Sequence, residues 1–504
     1  MSPLLLCLDS GTTAVKAAAF DRHGRIVATA ERQNRALRRD GARIEQDMIA
    51  TRDDAFAVMR ECATGLGGSV DGILVTGQGD GLWPLDAQLR PAGHAMTWLD
   101  GRARQIAFEL QDSDTLDEIQ AVTGSRPTAA SQSLQLLWLQ RNDPQHLATI
   151  AHVLRLKEWL FFTLTHALLG EPTAALPVWG DWRSGALSPI VQRTLGLPRG
   201  LELLPDFAPV GECRARLSPQ AASATGIEAG TPVLLGPGDV QSTLVGLGLG
   251  VRPAVTRASI FGTSAIHACR IPDPALMPAP LPGAMLQRFV LGDGYLLFQP
   301  SFNGATLFQH IGRIAAGLPA HAEPAYSGLI LHPFLEPGGE RAPYTSPNAS
   351  GALFGLTAHT RPEQIAWAAR EGLAFVARAS HEMMNAPAGV LSLGGGLAAD
   401  PHFAGFLATL LDTPVERAGG AQAGLRGLAA IGARHLFGAG DAELAGSWVV
   451  TPDAVAAPRT GKVAQYARDK YALFVGLLDS ISPHWQRMAA IRDLADDMME
   501  TTRQ

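Results

Sequence analysis

The chain has 504 residues, 46% of them hydrophobic and 17% charged, with a formal net charge of −6. That length exceeds what one core usually fills, so two domains are expected. The acidic balance leaves no basic footprint for nucleic acid, and no stretch approaches the ~18 uninterrupted apolar residues of a membrane span.

The chain opens with short apolar runs separated by turn signals: "LLLCLD", "AVKAAAF", "DRHGR" and "IVATA". Gly24 in "DRHGR" stands where a hairpin turn wants it. "AFAVMRECATGL" is apolar at helical spacing, and "VDGILVTGQGDG" reads as a buried strand ending in a glycine-rich loop. Strands followed by a helix and a parallel strand predict an α/β domain. The N-terminus has no basic region, and Asp9 interrupts its apolar run, so no signal peptide is expected. Cys7, Cys62, Cys213 and Cys269 lie far apart without metal-like spacing and read as reduced thiols of a cytoplasmic protein.

An internal repeat sets the architecture. "GTTAVKAA" begins at Gly11 and "GTSAIHAC" at Gly262, an offset of 251 residues, close to half of the chain, and each copy follows apolar, β-type residues. The expectation is two domains of like topology, each presenting a Gly-Thr-hydroxyl hairpin to a shared cleft. The boundary is placed in "GLGLGVRP", giving residues 1–246 and 247–504. The proline-rich 270–283 reads as a surface excursion. Beyond Pro458 a long helical region (459–504) with a polar tail from Arg487 is expected on the outside of the second domain.

Several segments can carry chemistry. The turn Gly11-Thr12-Thr13 offers backbone N–H groups and two hydroxyls to a phosphate, and Asp9 beside it can hold Mg²⁺. The repeat supplies Gly262, Thr263 and Ser264 but places Ile260 opposite Asp9, as expected if one metal-nucleotide lies between two hairpins. Asp239, after a buried strand and Gly236-Pro237-Gly238, is either a helix N-cap or a base toward a substrate hydroxyl. Gln78 and Asp80 between glycines, and Trp98 with Asp100 and Arg102, suit a polyhydroxylated ligand; turn formation and a plain salt bridge are their structural alternatives. Gly394, Gly395 and Gly396 follow an apolar strand, where a flat ligand can approach the backbone.

Taken in order, "DSGTTAVKAAAFDRHGRIV", "GQGDG", "WLDGR", "LKEWLFFTLTHALLG", "GPGD", "FGTS", "ERAPYTSPNASGALFGLT", "EGLAFVAR" and "GGG" resemble the FGGY carbohydrate kinases over roughly residues 4–445. The resemblance implies two ribonuclease-H-like domains around a central cleft, the fold of actin, hexokinase and Hsp70, and phosphorylation of a small sugar or polyol by ATP with Mg²⁺. It implies Asp239 as general base, Asp9 at the metal, and Gly11, Thr12 and Thr13 at the terminal phosphates. Gly262 and Thr263 would face the nucleotide phosphates, Gly395, Gly396 and Asp400 the adenosine. Gln78, Asp80, Trp98 and Asp100 fall where the family binds its substrate. A homodimer is suggested by the likeness alone.

Departures bear on the substrate. Xylulose kinases show Gly-Gln-Met-His-Gly where this chain has Gly77-Gln78-Gly79-Asp80-Gly81, and a carboxylate in place of an imidazole is acceptor-only. "TGQGDGLW" and "WGDWRSG" (179–185) are more similar to the erythritol and L-xylulose kinase branch. Asp400 stands where Ser or Asn is common, and "AGGAQAGLRGLA" lacks the family's usual glutamate. The alternatives are a xylulose or other pentulose kinase, an Hsp70-like or actin-like ATPase, and a sugar-sensing pseudokinase. Intact Asp9 and Asp239 speak against the last.

Overall fold

The computed structural model describes residues 4–503, apart from 67–68, 112, 316–322, 337 and 419–421. In the first half, strands β1 (Leu4–Ser10), β2 (Ala14–Asp21), β3 (Ile26–Gln33), β4 (Gly72–Gly77), β5 (Arg214–Arg216) and β6 (Pro232–Leu235) form one sheet in the order β5-β6-β4-β1-β2-β3. β4 runs parallel to both β1 and β6; the remaining pairs are antiparallel. The turn between β2 and β3 closes through Gly24, at φ +72°, with Asp21 accepting from the amides of His23 and Arg25.

The period-2 alternation of β1 sorts its side chains to two faces. Leu6 and Leu8 pack beneath α1 (Met48–Thr64) and α2 (Leu156–Thr165). Asp47 caps α1 by accepting from the amides of Ile49 and Ala50. Leu5 and Cys7 face the other way. α2 is tied to α3 (Pro172–Trp179) by a buried ion pair, Lys157 Nζ to Glu171 Oε1 at 2.5 Å, and the same carboxylate caps α3. Behind β6 comes α4 (Asp239–Gly246).

The second half repeats this plan. β7 (Val255–Phe261), β8 (Ala265–Ile271), β9 (Met285–Arg288), β10 (Tyr295–Ser301), β11 (Val390–Gly395), β12 (Val415–Arg417) and β13 (Ala454–Ala456) run in the order β9-β10-β8-β7-β11-β12-β13. Residue 4 maps to 255 and residue 10 to 261, the offset of the sequence repeat, and β11 is parallel to β7 as β4 is to β1. The expected ribonuclease-H-like pair is present, with β9 added at one edge. α5 (Pro362–Met383) and α6 (Pro401–Leu411) cover the outer face of this sheet.

Between the sheets lies a layer made of α4 and α7 (Ala423–Phe437). One buried cluster joins Leu5, Cys7 and Leu74 of the first sheet, Leu244, Leu428 and Ile431 of the two helices, and Ala258, Ala268 and Leu296 of the second sheet. The helices cross at glycines: a Cβ on Gly246 would overlap the Ala423 carbonyl, and one on Gly427 the Ser242 carbonyl. α7, which follows β12 in the chain, thus docks against the first half as well as the second.

The C-terminal region is not one continuous helix. α8 (Lys462–Ile481) buries Ala467, Phe474 and Leu478 in the second core; a 3₁₀ turn at Ser482–His484 then separates it from α9 (Trp485–Arg503). Pro483 lacks the N–H that would continue the ladder. Nor is the tail uniformly polar, since Ile491, Leu494 and Met498 are exposed. All four cysteines are free and buried. Among the described residues no helix is long and apolar enough to cross a membrane.

Candidate functional site

Asp9 continues the inward series of Leu5 and Cys7, so its carboxylate enters the helical layer. It meets the first turn of α7 there: a Cβ on Gly424 would sit 3.1 Å from Asp9 Oδ2. Oδ1 is buried and has no hydrogen-bond partner among the described residues. Burial lifts the Asp9 pKa to about 6, opposed by the field of Lys16.

The two hairpins sit at corresponding sheet ends. Gly11 N–H closes the first by donating to Ala14 O at 3.0 Å, and Asn34 braces it, donating its amide N–H to Thr13 O and its side chain to Gly11 O. Thr13 projects to solvent. In the second, Gly262 O accepts from Ala305 N–H at 2.8 Å and Thr263 O from Thr306 Oγ1 at 3.0 Å, and Thr263 is likewise exposed. Gly395 lies in register with Phe261 at the base of this hairpin. Its φ of +80°, and the overlap that a Cβ would make with the Phe261 carbonyl, demand glycine. Gly396 opens the 3₁₀ turn that follows.

A cavity of about 190 Å³ lies between the halves, lined by Thr12, Gln78, Asp80, Trp98 and Asp239 from the first and by Ser264, Phe302 and Arg341 from the second. The strand end and the Gly-Pro-Gly turn are pinned together by Thr76 Oγ1, which donates to Pro237 O at 2.6 Å. Gln78 is 2% exposed, yet among the described residues neither its Oε1 nor its Nε2 has a partner. Burial raises the Asp80 pKa, opposed by the fields of Arg341 and Arg155. Trp98 donates its indole N–H to Thr12 Oγ1 at 2.9 Å.

Asp239 is the first residue of α4, and Gly238 occupies the cap position with no side-chain cap. Asp239 Oδ1 accepts from the adjacent Val240 amide at 2.9 Å, and among the described residues it accepts from no later amide of the helix. The N-cap alternative therefore does not describe it. Its pKa rises to about 7, chiefly through burial and then through the negative fields of Asp9 and Asp80.

Other sequence candidates stand apart from this cavity. Asp100 is buried in a salt bridge: both oxygens accept from Arg102, and Oδ2 also accepts from Ile44 N–H. It borders a neighbouring cavity of about 410 Å³ instead. Asp400 caps α6, accepting from the amides of His402 and Phe403, and pairs with Arg370 at 2.9 Å. Trp182 of "WGDWRSG" packs edge-on to Tyr295, with the Arg183 guanidinium over its ring. The segment lacking the usual glutamate falls partly on 419–421, outside the described residues.

Arg341 is the residue that the sequence reading did not single out. It reaches the cavity from the second half, its Nε is buried without a partner among the described residues, and burial lowers its pKa against the fields of Asp80 and Glu340. The signal was a Glu-Arg pair amid prolines and small residues in "ERAPYTSP".

Among the described residues there is no group of three or more His, Cys, Asp or Glu able to hold a metal by themselves. The unpartnered Asp9 Oδ1 still fits a hard cation that draws its other ligands from phosphate and water.

The model of the FGGY family of carbohydrate kinases, N-terminal domain, matches residues 4–246, and that of the C-terminal domain matches 258–436. The chain is 28% identical to the erythritol kinase of Brucella abortus over 97% of its length and 98% of that protein's. It is 26% identical to the xylulose kinase of Escherichia coli, covering 77% of this chain and 81% of that one. A solved gluconate kinase from Lactobacillus acidophilus superposes with a TM-score of 0.86 at 20% identity, covering 97% of this chain and all of that one.

Proposed function

The chain belongs to the FGGY family of carbohydrate kinases, and on that premise we propose that it transfers the terminal phosphoryl group of ATP to a hydroxyl of a tetritol or pentulose, directly and in line. The observation that carries the reading is the placing of Asp239 in one small cavity with Gln78, Asp80 and Trp98, between two Gly-Thr hairpins.

Phosphoryl transfer asks a protein for positioning and charge control more than for covalent chemistry. Asp239 accepts the proton of the attacking hydroxyl. A pKa near 7 suits that task, because the group is substantially ionised at neutral pH while still able to take a proton. Gln78, with an unused donor and an unused acceptor, and Asp80, an acceptor, orient the remaining hydroxyls. The Gly11–Thr13 and Gly262–Thr263 turns present N–H groups and hydroxyls to the phosphates. Gly395 and Gly396 lie where an adenosine can approach the backbone. Asp9 is the residue that would hold Mg²⁺, which when bound neutralises charge on the phosphates.

Asp80, an acceptor-only carboxylate in the cavity lining, favours a ligand rich in hydroxyl donors, which supports a polyol such as erythritol over a ketose. A coupled ADP-release assay with ATP and Mg²⁺ against erythritol, D-xylulose, L-xylulose and D-ribulose tests this. Turnover with erythritol well above the no-sugar control is expected. ADP release that no sugar stimulates would replace the kinase reading with an ATPase, and turnover confined to a pentulose would move the substrate to that class.

A further inference from the structure

We propose that the second half carries a separate anion-binding site, built to hold a small phosphorylated sugar or polyol, in the open cavity between the C-terminal ends of α5 and α6 and the start of α8. At about 950 Å³ this cavity is far larger than the one at Asp239. Its lining carries five cationic side chains, Arg257, Arg378, Arg459, Lys462 and Arg468, against two carboxylates, Glu382 and Asp412.

Two of the cations are already placed. Arg378 pairs with Glu382 at 2.7 Å, and Arg257 donates to Gly389 O at 3.2 Å while its buried Nε has no partner. Arg459, Lys462 and Arg468 make no side-chain hydrogen bond or ion pair among the described residues. Three positive charges thus line one concavity without a bonded counter-charge, in excess over the one unpaired carboxylate there, Asp412.

The backbone adds to them. α8 is 20 residues long, and its cap position is Gly461, with no side-chain cap. Its first amides therefore point out of the helix unsatisfied, at the positive end of the helix dipole, beside Lys462. Two lining residues also carry buried nitrogens without a hydrogen-bond partner among the described residues, Arg257 Nε and His381 Nδ1. His381 is 3% exposed and borders the cavity; its Nε2 is engaged by Ser259 Oγ at 3.0 Å, which leaves Nδ1 without a partner. Ser259 Oγ also meets His267 Nδ1 at 3.0 Å, so the lining is hydrogen-bonded through to β7 and β8, the strands that carry the Gly262–Thr263 hairpin.

The chemistry selects the ligand class. Guanidinium groups and free amides at a helix start suit phosphate oxygens. Among the described residues no Phe, Tyr or Trp lines the cavity, and its one imidazole, that of His381, is buried, so there is no platform for a nucleobase, and its volume exceeds what an inorganic ion fills. A compact, hydroxylated organic phosphate meets these conditions.

Isothermal titration of the full chain with glucose 6-phosphate and with inorganic phosphate tests the site. Each is run on the wild type, on an R459A/K462A/R468A variant and on a cleft variant, T12A/T263A. Saturable binding of glucose 6-phosphate is expected, weakened about tenfold or more in the triple variant and unchanged in the cleft variant. R468Q, which removes one exposed charge, shows a smaller loss and serves if the triple variant melts early. Absence of saturation at millimolar ligand, or loss confined to the cleft variant, overturns the site. Equal affinity for inorganic phosphate overturns the assignment to an organic phosphate.

Discussion

The indole N–H of Trp98 donates to Thr12 Oγ1 at 2.9 Å. A wall of the candidate substrate cavity is therefore hydrogen-bonded to a hairpin proposed to hold phosphate. Replacing Trp98 by Phe keeps most of the ring and removes the donor, a loss of about 1 kcal/mol. The expected outcome is a drop of about fivefold in kcat/KM for the polyol with little change in melting temperature. Steady-state kinetics beside a thermal melt checks it; unchanged kinetics would mean that Asn34 alone positions the hairpin.

Asp239→Asn removes the proton acceptor and keeps the shape. Turnover is expected to fall by ~10²–10⁴-fold, while ATP binding measured by calorimetry stays near the wild-type value. Retention of most of the turnover would remove Asp239 from the role of base.

The Asp239 pKa of about 7 makes activity and stability move oppositely with pH. Catalysis needs the carboxylate, so kcat/KM is expected to rise with pH and level off above about 7. For folding, the native pKa lies above the value in the unfolded chain, so the native state binds the extra proton. The contribution of this group to stability is fully present below the unfolded pKa, and it declines as pH rises through about 7. Asp239→Asn is accordingly expected to melt higher than wild type at pH 8 and equal to it at pH 4, in scans at both values. Equal melting at both would mean that the carboxylate is not strained by its burial.

Gly246→Ala places a methyl against the Ala423 carbonyl where α4 crosses α7. The backbones must part, at a cost of about 3 kcal/mol. Gly476→Ala in α8 meets open space and should stabilise by about 0.5–1 kcal/mol. Urea denaturation of both variants gives the two signs; a mild effect at Gly246 would show that the crossing can widen.

Arg341→Met removes the buried guanidinium that faces Asp80 across the halves. Without that positive field the Asp80 carboxyl is expected to shift further upward, and KM for the polyol to rise about tenfold or more, with KM for ATP little changed. Kinetics with each substrate varied in turn separates this from a general loss of folding, which would lower kcat alone through the active fraction.

Much of the architecture was legible in the chain itself. The apolar run Leu4 to Leu8, the turn at Gly24 and the buried strand leading to Gly77 are local patterns, because a strand buried on both faces reads as a continuous apolar run and turn chemistry involves near neighbours. The 251-residue repeat carried the two-half plan, because the same hairpin recurs at the same place in both sheets. What only the tertiary structure decided was which polar groups remain free. Asp100 and Asp400 resemble Asp9 and Asp239 as letters, but Arg102 and Arg370 occupy the first two, while Asp9 Oδ1 stays unpartnered. Arg341 joins Asp80 only once the second half folds over the first. A carboxylate's availability depends on partners brought from elsewhere in the chain and on the water excluded when they pack, and neither is a property of its neighbours in sequence.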